Sequence, residues 1–171
     1  MSAPAITAQA WIAALVGCAA IVDDVTRRKI SNWIPLVAFC SGMLLQTLDS
    51  GWRGSLSGLL GTIVGASALV VFYVMGGMGG GDIKLLAGFG AVLGSMQVLE
   101  AALWTGACGG AMAVGAILLS SIRRSWKRRA SAANHAPAEH APESPKSIPY
   151  APAIAVGVWL TLASQTPGVA A

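Results

Sequence analysis

Three of the chain's seven carboxylates fall at edges of long apolar runs: Asp23 and Asp24 end one run, and Asp82 opens another. Asp49 and Glu100 sit at edges on the opposite side, and Glu139 and Glu143 lie in a polar stretch. A carboxyl at the boundary of hydrocarbon loses hydration, which disfavours its charged form, and a second carboxyl beside it makes ionisation of both costlier still. Two such groups can share one proton. One then takes a proton from water while the other, protonated, polarises a carbonyl, which is the division of labour in aspartic proteolysis. On chemistry alone a plainer alternative stays open. An Asp at a helix start commonly caps it, and Asp23 and Asp24 have Arg27 and Arg28 as partners one turn away.

Other chemistries have little to stand on. The sequence holds no Ser-His-Asp set, no Cys-His pair and no GxxxxGK[ST] phosphate loop, and neither histidine lies in an apolar run. Cys18, Cys40 and Cys108 occur singly in apolar stretches, which argues against a disulfide framework or a zinc site. His135 and His140 sit five apart in a Pro-rich segment without fixed geometry, so neither a metal nor another cofactor is expected. The segment Gly76-Gly77-Met78-Gly79-Gly80-Gly81 runs directly into Asp82. Glycine permits positive φ and close approach of another chain, so Gly79, Gly80 and Gly81 are candidates for holding an extended peptide beside the carboxylate. A flexible turn would explain the glycines but not the Asp placed after them.

The elements that must position these groups follow from composition. Hydrophobic residues make up 55% of the chain and charged ones 11%, against roughly a quarter charged in a soluble domain. Apolar runs at about 5–22, 33–48, 54–75, 83–97, 99–121 and 148–166 predict an all-α, polytopic membrane protein with six transmembrane helices. The first run lacks the basic start of a signal peptide and reads as a retained helix. Arg27, Arg28, Lys29, Lys84, Arg123, Arg124, Lys127, Arg128, Arg129 and Lys146 fall on one side and Arg53 alone on the other. That asymmetry predicts cytoplasmic basic loops and both termini outside. The net charge of +4 is therefore ascribed to membrane orientation and anionic lipid, and no nucleic-acid partner is expected. Residues 123–147 read as a flexible cytoplasmic loop within a single transmembrane domain spanning 1–171. Small residues four apart, Gly54/Gly58, Gly61/Gly65, Gly90/Gly94 and Gly106/Gly110, predict faces where helices approach closely.

Gly79-Gly80-Gly81-Asp82 resembles the GxGD motif of intramembrane aspartic proteases, and residues 77–94, GMGGGDIKLLAGFGAVLG, resemble the second active-site region of type IV prepilin peptidases. The stretch from Asp24 to Asn32 is similar to that family's D-x5-I/L-P-N/D pattern, which selects Asp24 over Asp23. Ile148-Pro149-Tyr150-Ala151-Pro152 is a third, weaker similarity. Ser31 stands where the family usually has Pro. The N-terminal region with four cysteines and a methyltransferase motif, present in long members, is not seen, so the chain resembles the short, peptidase-only type associated with tight-adherence (Flp) pili.

The resemblance implies an aspartic endopeptidase of the inner (plasma) membrane. It would cleave the leader of a prepilin or pseudopilin at the cytoplasmic face, with Asp24 and Asp82 activating water. The competing class is a non-enzymatic membrane protein, a transporter subunit or an assembly scaffold. A transporter should carry an ionisable group near mid-bilayer, and none of the six runs does. Lys84, two residues past Asp82, is expected to point to another face as a cytoplasmic anchor.

Overall fold

The computed structural model describes residues 3–74, 78–133 and 150–165. Among them every regular element is an α-helix: α1 (Ala3–Arg27), α2 (Trp33–Val74), α3 (Gly80–Leu93), α4 (Ser95–Ala133) and α5 (Ala151–Ser164). The all-α expectation holds. The chain divides into two compact units, residues 1–109 with 149–171, and residues 110–148. In the second unit the described residues are helical through Ala133, with Leu118, Leu119 and Ile122 exposed.

α2 has 42 residues, far more than the roughly 20 that cross hydrocarbon, and it doubles back on itself. Ser50 (φ −132°, ψ 15°) and Gly51 (φ 58°, ψ −139°) leave helical geometry. Eight residues of straight helix would span about 12 Å. Yet the Gln46 carbonyl occupies the place a Gly54 side chain would take, and the Thr47 and Ser55 hydroxyls are 2.7 Å apart. The element is thus an antiparallel hairpin with arms 33–49 and 52–74, and the runs read at 33–48 and 54–75 are those arms.

α3 lies against this hairpin with backbone nearly touching backbone. A methyl group on Gly61 would fall on the Gly90 carbonyl, and one on Gly90 would fall on the Gly61 carbonyl. At Gly65 it would lie 2.7 Å from the Leu86 carbonyl oxygen, and at Gly88 2.8 Å from that of Pro35. Three of the four glycine pairs expected to allow close packing do so. A methyl at Gly106 or Gly110 meets no described atom within 4 Å.

The fourth and fifth helices differ from their predicted bounds. Gly94 (φ 83°, ψ 174°) ends α3, so residues 95–97 belong to α4. Only glycine takes that conformation without strain, and an apolar run gives no sign of such a break. α4 continues past the apolar run to Ala133, into the stretch read as a loop from 123, because Arg, Lys and Ala sustain a helix as well as apolar residues do. Residues 134–147, with His135 and His140, lie outside the described residues.

Buried polar groups hold the end of α3. Gln9 from α1 and Gln46 from α2 donate to the Val92 carbonyl at 2.7 and 3.3 Å, satisfying an acceptor that the last turn of a helix leaves without an intrahelical donor. On the other side of α1, Trp159 donates from Nε1 to the Ala13 carbonyl at 3.1 Å and covers Gly17. Leu85, Leu86, Phe89, Ile154 and Val158 form the fully buried centre.

Among the described residues, three stretches have the length and apolar composition to cross a membrane: Thr7–Arg27, Trp33–Val74, which folds back at Ser50–Gly51 into two arms, and Ser95–Ile122. α3 and α5 have 14 residues each, about 21 Å of helix against roughly 30 Å of hydrocarbon. Exposed Trp11, Leu15, Leu44, Ile63 and Val71 give the helices the apolar exterior that lipid requires. Six crossings with both termini outside remain a proposal. Gly90→Ala is expected to destabilise the folded chain by about 1–3 kcal/mol, because the methyl meets backbone that cannot move aside. Gly106→Ala, facing open space, should leave stability unchanged or raise it by up to about 1 kcal/mol. Thermal unfolding in detergent compares the two.

Candidate active site

Asp24 lies one turn from the end of α1, with 8% of its surface exposed, and Asp82 lies in the first turn of α3, with 7% exposed. Helices α1, α3 and α5 pack against one another around them.

A backbone N–H reaches each of them. Ala151, the first residue of α5, donates to Asp24 Oδ2 at 3.1 Å in a buried hydrogen bond. Gly79, the N-cap of α3, donates to Asp82 Oδ2 at 3.2 Å, while Asp82 N–H donates back to the Gly79 carbonyl at 3.1 Å. Each carboxylate therefore accepts a backbone N–H from the N-terminal end of a helix, where such groups have no intrahelical acceptor. One Oδ atom of each is fixed. The weak similarity at Ile148–Pro152 thus has a geometric consequence that its sequence did not disclose, because Ala151 within it is a donor to Asp24.

Asp23 does different work. Its Oδ2 accepts from Ser31 N–H at 2.7 Å and its Oδ1 lies 3.4 Å from Arg27 Nε. The plain ion-pair alternative describes Asp23, whereas the Asp24 side chain turns to α5. Adjacent residues on a helix point about 100° apart, which separates these roles.

The turn between α1 and α2 carries the rest of the first motif to the second. Ile30 lies over Gly81, where a methyl would approach Ile30 Cβ to 3.2 Å. Lys84 Nζ donates to Asn32 Oδ1 at 3.0 Å. Lys84, expected to point away from Asp82 as an anchor, is exposed and reaches the neighbouring turn. Neither Asn32 nor the Ala151 N–H stood out by residue type, and the only sign of Asn32 was its place at the end of the quoted pattern.

The glycines occupy ordinary backbone. Gly79 has φ −82° and extended ψ, and Gly80 and Gly81 begin α3, so positive φ is not what these three positions use. Close approach is. Gly81 admits Ile30, and Gly79 places its N–H on Asp82 with its own α-carbon exposed. Gly76 and Gly77 lie outside the described residues. The N–H groups of Gly80 and Gly81 stand in the first turn of α3, where no intrahelical acceptor exists. Among the described residues no group of His, Cys, Asp and Glu is arranged to hold a metal ion.

Two largely buried aspartates, each accepting a backbone N–H at the start of a helix, lie in an apolar, all-helical body. The sequence pattern of the type IV leader peptidase family matches residues 11–114, more than half of the chain and inclusive of both aspartates, and the chain belongs to that family. It is a peptidase on that membership. Curated proteins and solved structures give no match to it. Gly81→Val would drive a branched carbon into Ile30 and is expected to cost about 1–3 kcal/mol of stability. Gly79→Ala, whose added methyl lies 3.6 Å from Asp82 Oδ2, should be tolerated in the fold, again read by thermal unfolding.

Proposed function

We propose that the chain is a membrane-embedded aspartic endopeptidase that removes the leader of prepilin-like substrates, of the Flp type, at the cytoplasmic face of the inner membrane. The reading is supported by two largely buried carboxylates from distant parts of the sequence, carried by the packed helices α1 and α3 and each bound by a backbone N–H, in a chain of the leader peptidase family. The whole chain acts as one transmembrane peptidase domain.

In the proposed reaction the substrate's leader boundary lies extended beside the first turn of α3. The Gly80 and Gly81 N–H groups and the open side of Gly79 receive its backbone, as β-strand addition uses main-chain donors elsewhere. One member of the Asp24/Asp82 pair is ionised and takes a proton from a water molecule while the other, protonated, donates a hydrogen bond to the scissile carbonyl. Water oxygen bonds to the carbonyl carbon. The C–N bond then breaks as the amine takes a proton from the pair, which returns to its single shared proton. The backbone N–H on one oxygen of each carboxylate leaves the other oxygen for this work.

Asp24→Asn and Asp82→Asn should each reduce cleavage by more than about 100-fold with the protein still folded in the membrane, because either removes a proton-transfer group. Asp23→Asn should cost only a few fold, through the turn it holds rather than through chemistry. Co-expression with candidate prepilins, followed by an immunoblot for leader loss, measures all three. Wild-type cleavage by either of the first two variants would sink the dyad. The proposed topology has its own test: reporter fusions at the Ser50–Gly51 bend and after α5 should report the outside compartment, and fusions in 125–145 the cytoplasm. A cytoplasmic C-terminus would break the six-span arrangement.

A further inference from the structure

The turn that follows Asp24 is held under strain. Arg28 has φ +52°, in the left-handed region, which costs a non-glycine residue on the order of 1–2 kcal/mol. Its N–H still bonds the Asp24 carbonyl at 2.9 Å, so the strain lies next to the aspartate that the turn must leave correctly placed. Such a turn persists only where its surroundings over-determine it. Two polar ties do so here. One closes the turn on itself, from Ser31 N–H to Asp23 at the end of α1. The other crosses to α3, from Lys84 Nζ to Asn32 Oδ1, with Ile30 seated over Gly81 beside it.

We propose that Lys84 and Asn32 form a latch that fixes the Asp24 turn against the head of α3 and so sets the separation of the two carboxylates. This rests on the peptidase reading and deepens it. Lys84 and Asn32 are positioning residues: their hydrogen bond joins the elements that carry the aspartates, and its partners are each other. A chain with the latch open keeps both carboxylates and both helix-end N–H donors, but the Asp24 element can shift relative to α3. Displacements near 1 Å are costly to a reaction that needs both groups on one water molecule.

The test is a double-mutant cycle on the full-length protein in detergent or proteoliposomes, with leader cleavage as readout. Lys84→Met and Asn32→Leu are each expected to lower kcat about tenfold with KM little changed, the scale of one charge-assisted hydrogen bond lost in the transition state. The double variant should be no worse than either single one. Asn32→Asp, which keeps an acceptor for the ammonium, should retain most of the activity, and the pH profile should not move in any of them. Losses that multiply in the double variant overturn the latch, as does an Asn32→Asp as impaired as Asn32→Leu. Unimpaired Lys84→Met would make the lysine an anchor, and a pH profile displaced by Lys84→Met alone would make it a field effect on Asp82; either overturns the proposal.

Thermal unfolding of the same four proteins is the independent arm. Coupling in unfolding without coupling in kcat would make the contact structural only and overturn the positioning role. If wild type cleaves no prepilin, the peptidase reading falls by itself, and additive unfolding shifts would then also remove the latch.

Discussion

The close approach of α3 to the α2 hairpin is the contact on which the remaining arrangement depends. Without side chains at Gly61 and Gly90, the two backbones meet where a methyl group would have no room, and Gly65 and Gly88 extend the same seam against Leu86 and Pro35. In lipid, apolar surfaces gain little by leaving one hydrocarbon for another, so packing distance becomes the main source of helix association. α3 is short, and its position is fixed along its length by this seam, at its end by Gln9 and Gln46 on the Val92 carbonyl, and at its head by the turn after α1. A helix so held can present Asp82 at a constant height relative to Asp24.

That constancy has chemical value because both carboxylates are largely buried. A buried carboxylate can keep its charge when it is hydrogen-bonded, and a backbone N–H at a helix end is a donor that cannot rotate away. Ala151 and Gly79 supply such donors from two different helices. Two carboxylates each bound on one oxygen keep the other oxygen for the water and carbonyl of the proposed reaction. The geometry therefore restrains the pair without neutralising it, as an Arg or Lys in the same places would.

Much of this was legible in the sequence, and the reasons for success and failure are physical. Helical character followed from the apolar runs, and the hairpin arms of α2 from the polar break around Ser50. Glycine spacing located the α2–α3 seam, because only a missing side chain permits that distance. Helix ends were less visible. Gly94 stops α3 by conformation rather than by polarity, and α4 outruns its apolar stretch because helix propensity is blind to hydropathy. Asp24, Asp82 and Gly79–Gly81 stood out as candidates because carboxylates and a glycine cluster are unusual in an apolar context. The Ala151 N–H could not be, since a backbone donor has no residue type.

The neighbouring aspartates show why residue type alone is insufficient. Asp23 and Asp24 are chemically identical and adjacent, and both stand within a turn of arginine. What separates them is the 100° between successive positions on a helix. Asp23 faces the turn, where Ser31 and Arg27 occupy both of its oxygens. Asp24 faces the helical body, where one oxygen meets the first N–H of α5. With both oxygens engaged by the turn, Asp23 is tied to the strained backbone around Arg28, which leaves Asp24 as the neighbour that the proposed reaction calls on.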